Sequence, residues 1–224
     1  MCGNRPVMVT NLHLADRLFL VGLDDRNGAL QVEHRVLGLG LAGALLGELV
    51  LTERLVLYRR RLVVARHDPP PDPLAHAVLE QMWAEQAAPP GGAPVVHPVG
   101  TWLAFLARDS IARVGERLVQ GDWVTRHERR GLTGRRASWI PVDGNAVAQV
   151  GAGLGHQVQS QAPMTQQDAL LVGLVEVAGL TGQVLWAETH TAHTYLAWLV
   201  SQLPEPLRCE REPGALIGQW RSDQ

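Results

Sequence analysis

The longest apolar run in the sequence extends for twelve residues, from Val36 to Gly47, between Arg35 and Glu48. A helix that crosses a bilayer needs about 20 apolar residues. The run therefore predicts a buried helix of a soluble fold and no membrane span. Gly43 lies one helical turn before Gly47, and glycine is costly inside a helix. We expect this pair to permit close packing against a neighbouring element of the core.

Apolar residues recur at helical spacing through most of the remaining chain. Helices are predicted from Thr10 or Asn11 to Val21, and over residues 37–51, 73–82, 101–120, 145–157, 165–179 and 183–202. Alternating residues 54–65 predict one or two short strands, and 124–142 a hairpin. The sequence thus predicts a mainly α fold: a single-domain helical bundle over 1–224, with one or two β-hairpins, one of them protruding and basic. Residues 1–9 are predicted to be a loose leader and 87–98 a loop rich in proline and glycine.

The overall charge is close to balanced, because 20 basic residues face 22 acidic ones and give a formal net charge of −2. A global signal for nucleic acid is therefore absent, and an electrostatic partner has to be found in local patches. All the basic residues are arginine, whose planar fork binds phosphate in a bidentate manner. Cys2 and Cys209 lack metal or redox spacing, and no basic segment leads into an apolar core at the N-terminus, so a reducing, cytoplasmic location is expected.

Enzyme motifs are not recognisable in the sequence. It has no Gly-x-Ser-x-Gly elbow, no phosphate loop ending in Lys-Ser/Thr and no His-Glu-x-x-His. The group most similar to a metal site is Glu188, His190 and His193, and no second cluster supplies further ligands. We interpret these histidines as solvated or capping residues. The sequence therefore predicts a protein that is not an enzyme and has no cofactor and no metal.

The segment 126–136 is the most informative part of the chain, with five arginines in eleven residues, followed by Trp139 and Ile140. Each basic residue close to an anionic bilayer contributes about 1 kcal/mol to binding, and tryptophan favours the interfacial zone. A basic hairpin with an aromatic residue is therefore suited to membrane docking. The residues expected to act there, or in self-association, are Arg129, Arg130, Arg135, Arg136 and Trp139.

Two other interpretations of this segment are open. In one, Trp139 and Ile140 return to the core and the hairpin is only solvated. In the other, the hairpin is the wing of a winged-helix regulator, and the preceding helix reads the major groove of DNA. That helix carries charges of both signs, and Asp109 and Arg113 are spaced for an ion pair, so nucleic acid is the less favoured partner.

Three blocks of sequence resemble the Golgi phosphoprotein 3 family. They are LHLADRLFLVGLDDRNG at 12–28, GLAGALLGELVLTERL at 40–55 and RVGERLVQGDWV at 113–124, in the family's order. The resemblance implies a mainly helical, non-enzymatic peripheral membrane protein that binds phosphatidylinositol 4-phosphate. It also implies a hairpin that mediates membrane contact and self-association, so that a homo-oligomer and an unidentified protein client are expected. The short leader and the absence of lysine are typical of a bacterial member.

The resemblance also locates the family's lipid pocket on this chain. The pocket tryptophan corresponds to Glu33 and one pocket arginine to Ala42, while two further arginines correspond to Arg108 and Ile111. Arg108 is thus the retained pocket residue, and less specific binding to anionic phospholipid is expected. With two neighbours that could substitute, the expected headgroup-binding residues are Arg108, Arg113 and Arg35.

Overall fold

A computed structural model describes residues 12–87, 95–131 and 134–184. The described chain is mainly helical, as predicted, and has two separate antiparallel hairpins. Its helices are α1 (Leu14–Val21), α2 (His34–Leu51), α3 (Pro73–Gln86), α4 (Val99–Leu106), α5 (Ser110–Gln120), α6 (Gly144–Gln159), α7 (Gln166–Val177) and α8 (Thr181–Val184). Its strands are β1 (Leu55–Tyr58), β2 (Arg61–Val64), β3 (Val124–Gly131) and β4 (Gly134–Pro141). The leader 1–9, most of the loop 87–98 and most of the helix expected over 183–202 lie outside the described residues.

Helix α2 lies at the centre of the bundle and packs against α1, α3, α4, α5 and α7. Its two spaced glycines face α7: a Cβ at Gly43 would lie 3.2 Å from Leu174 Cδ2, and one at Gly47 would lie 2.5 Å from Leu170 Cδ2. The expectation of close core packing is therefore confirmed. Within the described chain, α2 is also the one helix that is long and apolar enough to cross a membrane, yet 56% of it is buried among its neighbours.

The helix expected over 101–120 is two helices, because the chain turns at residues 107–109. The turn packs against Gly38 of α2, where an added Cβ would lie 2.7 Å from the carbonyl oxygen of Ala107. Ser110 starts α5, and its buried hydroxyl donates to the carbonyl oxygen of Gly38 at 2.9 Å. No local pattern predicts this break, because the contact that stabilises it is with a residue 72 positions away.

Local signals predicted the start of α3 correctly and the start of α1 too early. Asp72 caps α3 by accepting hydrogen bonds from the N–H groups of Leu74 and Ala75, and Pro73 occupies the first turn. Helix α1 starts later than predicted, at Leu14, after His13. The N–H of His13 donates to the side chain of Asp16 at 3.1 Å.

The first hairpin pairs β1 with β2 and turns through Arg59 and Arg60. Both residues have positive φ, 48° and 60°, in the region that usually favours glycine or asparagine. Leu55 and Leu62 turn into the core beside α2 and α3, whereas Tyr58 and both turn arginines are exposed. This hairpin follows the C-terminal end of α2, and the amide of Val99 at the start of α4 donates to the carbonyl of Arg60.

Candidate functional site

The first turns of α2 and α5 lie side by side at one end of the bundle. The hydrogen bond from Ser110 to Gly38 joins them. Helix N-termini carry unpaired amides and partial positive charge, which favours anions. The same end of the bundle holds the turn that connects α4 to α5.

The three predicted headgroup arginines belong to this end. Arg35 lies in the first turn of α2, one turn before Gly38, and Arg108 lies in the turn that packs on Gly38. Both residues are exposed. Arg113, in the first turn of α5, is partly buried, and its Nη1 lies 3.7 Å from Asp109 Oδ2, so the predicted ion pair at i,i+4 is present. We call Arg35, Arg108 and Arg113 the arginine end.

The positions that correspond to other pocket residues of the family differ in environment. Glu33 is exposed at the start of α2. Ala42 is fully buried and Ile111 is 2% exposed, so both belong to the core. The arginine end therefore shares only Arg108 with the positions that correspond to the family's pocket, and Arg35 and Arg113 are additional.

The second hairpin places the four predicted tip arginines next to one another along the strands. Arg129 is the Cα partner of Arg136, and Arg130 is the partner of Arg135. Two successive cross-strand pairs of arginine concentrate four positive charges in this part of the hairpin.

The base of this hairpin is fixed to α5. Arg126 of β3 contacts Glu116 of α5 at 2.7 Å, and the amide of Val142 donates to the carbonyl of Trp123 at 3.0 Å. Since Trp123 follows the C-terminal end of α5 and Arg126 already lies beside Glu116, β3 starts by running back along the helix. This direction leads toward the end of the bundle where α5 begins.

Trp139 lies in the core and not at the surface, which contradicts the prediction that it anchors the hairpin in a membrane interface. Its side chain is 4% exposed and packs edge-on against Phe19, with ring centroids 5.5 Å apart. Gly115 of α5 leaves the space for the indole, because a Cβ there would come closer than 3.0 Å to the ring. The burial of Trp139 agrees with the alternative in which Trp139 and Ile140 return to the core, although Ile140 is only partly buried.

A second polar group, which sequence reasoning missed, lies buried where α1, α2, α3 and α5 meet. Arg117 of α5 donates from Nε to Asp16 of α1 at 2.8 Å and from Nη1 to Asp72, the cap of α3. Glu48 of α2 accepts from the amide of Leu14. Asp16 is 4% exposed, Asp72 3% and Glu48 8%. We call Arg117, Asp16, Asp72 and Glu48 the buried charge cluster.

The buried charge cluster has more negative than positive charge. Burial raises the pKa of Glu48, and the nearby charge of Asp72 adds to that effect, although the amide of Leu14 opposes it. Burial likewise raises the pKa of Asp16, because it outweighs the charge of Arg117. At Asp72 burial also acts upward, yet the charge and hydrogen bond of Arg117 and the cap amides together hold its pKa below the ordinary value. The cluster therefore retains a proton more readily than the unfolded chain does.

This cluster also has the spacing of a metal site, since ligand atoms of His13, Glu48 and Asp72 lie within 4.8 Å of one another. Arg117 already donates to Asp72 and brings a fixed positive charge to the same place. A cation bound there would be repelled by the guanidinium. We therefore interpret the cluster as an ion-pair network that joins four helices. Glu188, His190 and His193, which we interpreted from the sequence as solvated or capping residues, lie outside the described residues.

Comparison with known proteins gives one family. The model of the family described as Golgi phosphoprotein 3 matches residues 14–208. No curated protein matches the chain. The matched residues include both hairpins, the arginine end and the whole buried charge cluster.

Proposed function

Since the chain belongs to the Golgi phosphoprotein 3 family, a family of non-enzymatic adaptors, we propose that it is a peripheral membrane protein that binds anionic phospholipid. The surface that binds would consist of the arginine end and the basic part of the second hairpin. The observation that carries the proposal is that α2 and α5 begin side by side, with an arginine in each first turn and Arg108 between them. Two helix N-termini and three guanidinium groups favour phosphate.

Less specific lipid recognition follows from the residues of this site. At two positions that correspond to pocket arginines of the family, this chain has the buried apolar residues Ala42 and Ile111. At the position of the pocket tryptophan it has Glu33, which adds a negative charge. Binding would therefore depend mainly on the number of anionic headgroups, with phosphatidylinositol 4-phosphate as one suitable lipid among several. We propose that the protein works at the cytoplasmic face of a membrane, as a homo-oligomer through the hairpin, and presents a protein client there.

Charges on α5 favour a membrane over nucleic acid. A winged-helix regulator would need a basic face on that helix to enter the major groove. The outward charges of α5 instead form pairs of opposite sign, Arg113 with Asp109 and Glu116 with Arg126. Charges of alternating sign along α5 do not form the continuous basic face that a helix needs to enter the major groove.

The test is co-sedimentation with vesicles of neutral phosphatidylcholine, alone or mixed with phosphatidylglycerol or phosphatidylinositol 4-phosphate. We expect binding to both anionic vesicles at low salt and little to neutral ones. Changing the cross-strand pair Arg129→Ser and Arg136→Ser should weaken binding about 30-fold, because two basic residues contribute about 2 kcal/mol. Changing Arg35→Ser and Arg108→Ser together should have an effect of similar size.

The first hairpin provides a matched control. Arg59 and Arg60 are exposed and occupy a turn at the other end of α2, so Arg59→Ser with Arg60→Ser removes the same charge from a different surface. We expect this variant to bind vesicles as the unchanged protein does. Equal losses from all three double variants would mean that only net charge matters, and absence of binding at low salt would refute membrane docking. A steeply salt-dependent shift of duplex DNA under the same conditions would support the nucleic-acid alternative.

A further inference from the structure

Helix α4 carries no charged residue, although most of it is accessible to solvent. Its sequence is VGTWLAFL, and only Trp102 and Leu106 are buried. Three other apolar residues of the helix are partly buried, and Phe105 is 40% exposed. A helix at the surface of a globular protein normally has charged and polar residues on its outer side. The outer side of α4 instead has the hydroxyl of Thr101 and otherwise apolar side chains.

The exposed residues of α4 lie on one side of the helix and lead to the arginine end. Thr101 and Phe105 are four positions apart, so they share a face, and Arg108 follows three positions later. The amide of Arg108 donates to the carbonyl of Phe105 at 3.4 Å, which continues the last turn of the helix as far as the arginine. An exposed phenylalanine therefore lies one turn away from an exposed arginine.

The inner side of α4 fixes the position of Phe105. Its ring packs edge-on against the indole of Trp102, with ring centroids 6.1 Å apart and planes 87° apart. Trp102 is 3% exposed and belongs to the core. The helix packs on α2, where a Cβ at Gly43 would lie 3.9 Å from Leu103 Cδ2. Phe105 is thus held at the surface by a packed helix, and its exposure requires no rearrangement of the fold.

We propose that the outer side of α4, with Phe105 as its anchor, is the apolar part of the membrane-binding surface and inserts between the lipid headgroups. This inference rests on the proposed function, because the arginine end supplies the charge that brings α4 to an anionic bilayer. Apolar residues beside basic ones are typical of helices that lie in a membrane interface. A second copy of the chain fits this surface less well. A two-fold contact centred on Phe105 would bring two copies of Arg108 close together, and like charges repel.

Phe105 would thus have the role that the sequence suggested for Trp139, which is buried. Insertion of an apolar ring removes apolar surface from water, whereas the attraction between arginine and a charged bilayer is screened by salt. The contribution of the ring to binding therefore depends much less on salt than the contribution of the arginines. This difference allows the two contributions to be measured separately.

The test is co-sedimentation with vesicles that contain phosphatidylglycerol, over a range of salt concentrations. Phe105→Ser should weaken binding about tenfold at every salt concentration and leave the salt dependence unchanged, because apolar area is lost and charge is not. Arg35→Ser with Arg108→Ser should instead reduce the salt dependence. Phe105→Leu should retain most of the binding. Trp83→Ala is the matched control and should bind as the unchanged protein does, since Trp83 is an aromatic residue of similar exposure, 47%, on α3.

A fluorescent label measures insertion directly. The chain has two cysteines, so the label is attached in a background of Cys2→Ser and Cys209→Ser. A nitrobenzoxadiazole group on Phe105→Cys should shift its emission to the blue when phosphatidylglycerol vesicles are added, because the probe leaves water. The same group on Trp83→Cys should keep its emission. Both positions are exposed, so the variants should fold, which circular dichroism would verify.

The outcomes separate this inference from the proposed function. If the unchanged protein binds anionic vesicles, Phe105→Ser binds equally well and the label at 105 stays in water, insertion of α4 is refuted and membrane docking by the arginines stands. If the unchanged protein does not bind at low salt, both proposals are refuted. If Phe105→Ser binds vesicles normally and forms smaller assemblies in size-exclusion chromatography, the outer side of α4 contacts a second copy of the chain, which also overturns the inference.

Discussion

Arg117 should be the side chain whose removal costs the fold most among the charged residues described. We consider Arg117→Met, which keeps the length of the side chain and removes its charge. The guanidinium has two hydrogen-bonded carboxylate partners, Asp16 and Asp72, which are 4% and 3% exposed. Its loss leaves both carboxylates inside the bundle without their positive partner, close to Glu48.

The magnitude follows from these contacts. A hydrogen bond to a charged group contributes about 1.5–3 kcal/mol, and Arg117 makes two of them. Removing one partner of a buried ion pair costs about 3–5 kcal/mol. Asp72 retains its two cap amides and Asp16 can take up a proton, so we expect the free energy of unfolding to fall by about 3–5 kcal/mol. For a chain of this length that corresponds to a decrease of about 10 °C in melting temperature.

Urea unfolding followed by circular dichroism measures this change, read as a lower midpoint at an unchanged slope. Arg113→Met is the matched control: it lies one turn earlier on the same helix, and its partner Asp109 is 56% exposed at 3.7 Å. We expect that control to cost about 0–1 kcal/mol. The deficit of Arg117→Met should shrink as the pH falls toward 5, because its unpaired carboxylates become protonated. A deficit at pH 7 no larger than that of the control would refute the reasoning.

Two further predictions concern the pH dependence and the packing of the bundle. Because the folded pKa of Glu48 is raised above its ordinary value of 4.5, its contribution to stability is present below that value and is lost as the pH rises through the folded pKa. Glu48→Gln should therefore lose less stability than the unchanged protein between pH 5 and pH 8 in urea titrations, and an identical loss would contradict the assigned shift. In α6, Gly155→Ala should destabilise the fold by about 1–3 kcal/mol, because its Cβ would meet the carbonyl oxygen of Val184. Gly153→Ala, with nothing within 4 Å, should stabilise it by about 0.5–1 kcal/mol in thermal unfolding, and similar effects of the two changes would refute the close approach.

Local signals in the sequence were sufficient for most elements. Asp72 followed by Pro73 predicted the start of α3, and alternation over 54–65 predicted the first hairpin, because caps and strand periodicity act over a few residues. The arginine-rich segment 126–136 likewise predicted the second hairpin. The Gly43 and Gly47 pair predicted close packing without identifying α7 as the partner.

The proposed binding surfaces were predictable only in part. Clustering of arginine in one segment is visible in the sequence, and so is the resemblance that pointed to Arg108. That Arg35 belongs to the same end of the bundle follows from the contact of Gly38 with Ser110, which joins α2 to α5. For Trp139 the sequence was misleading. Its basic neighbours suggested a position in a membrane interface, whereas the space left by Gly115 allows the indole to pack in the core.

The sequence by itself determined which segments become helices and hairpins, where several of them start and where positive charge is concentrated, since these features depend on residues a few positions apart. Tertiary structure alone decided the partners of Arg117, which lie 101 and 45 positions away in the chain. It also decided the break between α4 and α5, which the contact of Ser110 with Gly38 stabilises. The physical reason is that burial and ion pairing depend on the distance between side chains in space, which the packing of helices sets and the spacing of residues along the chain does not.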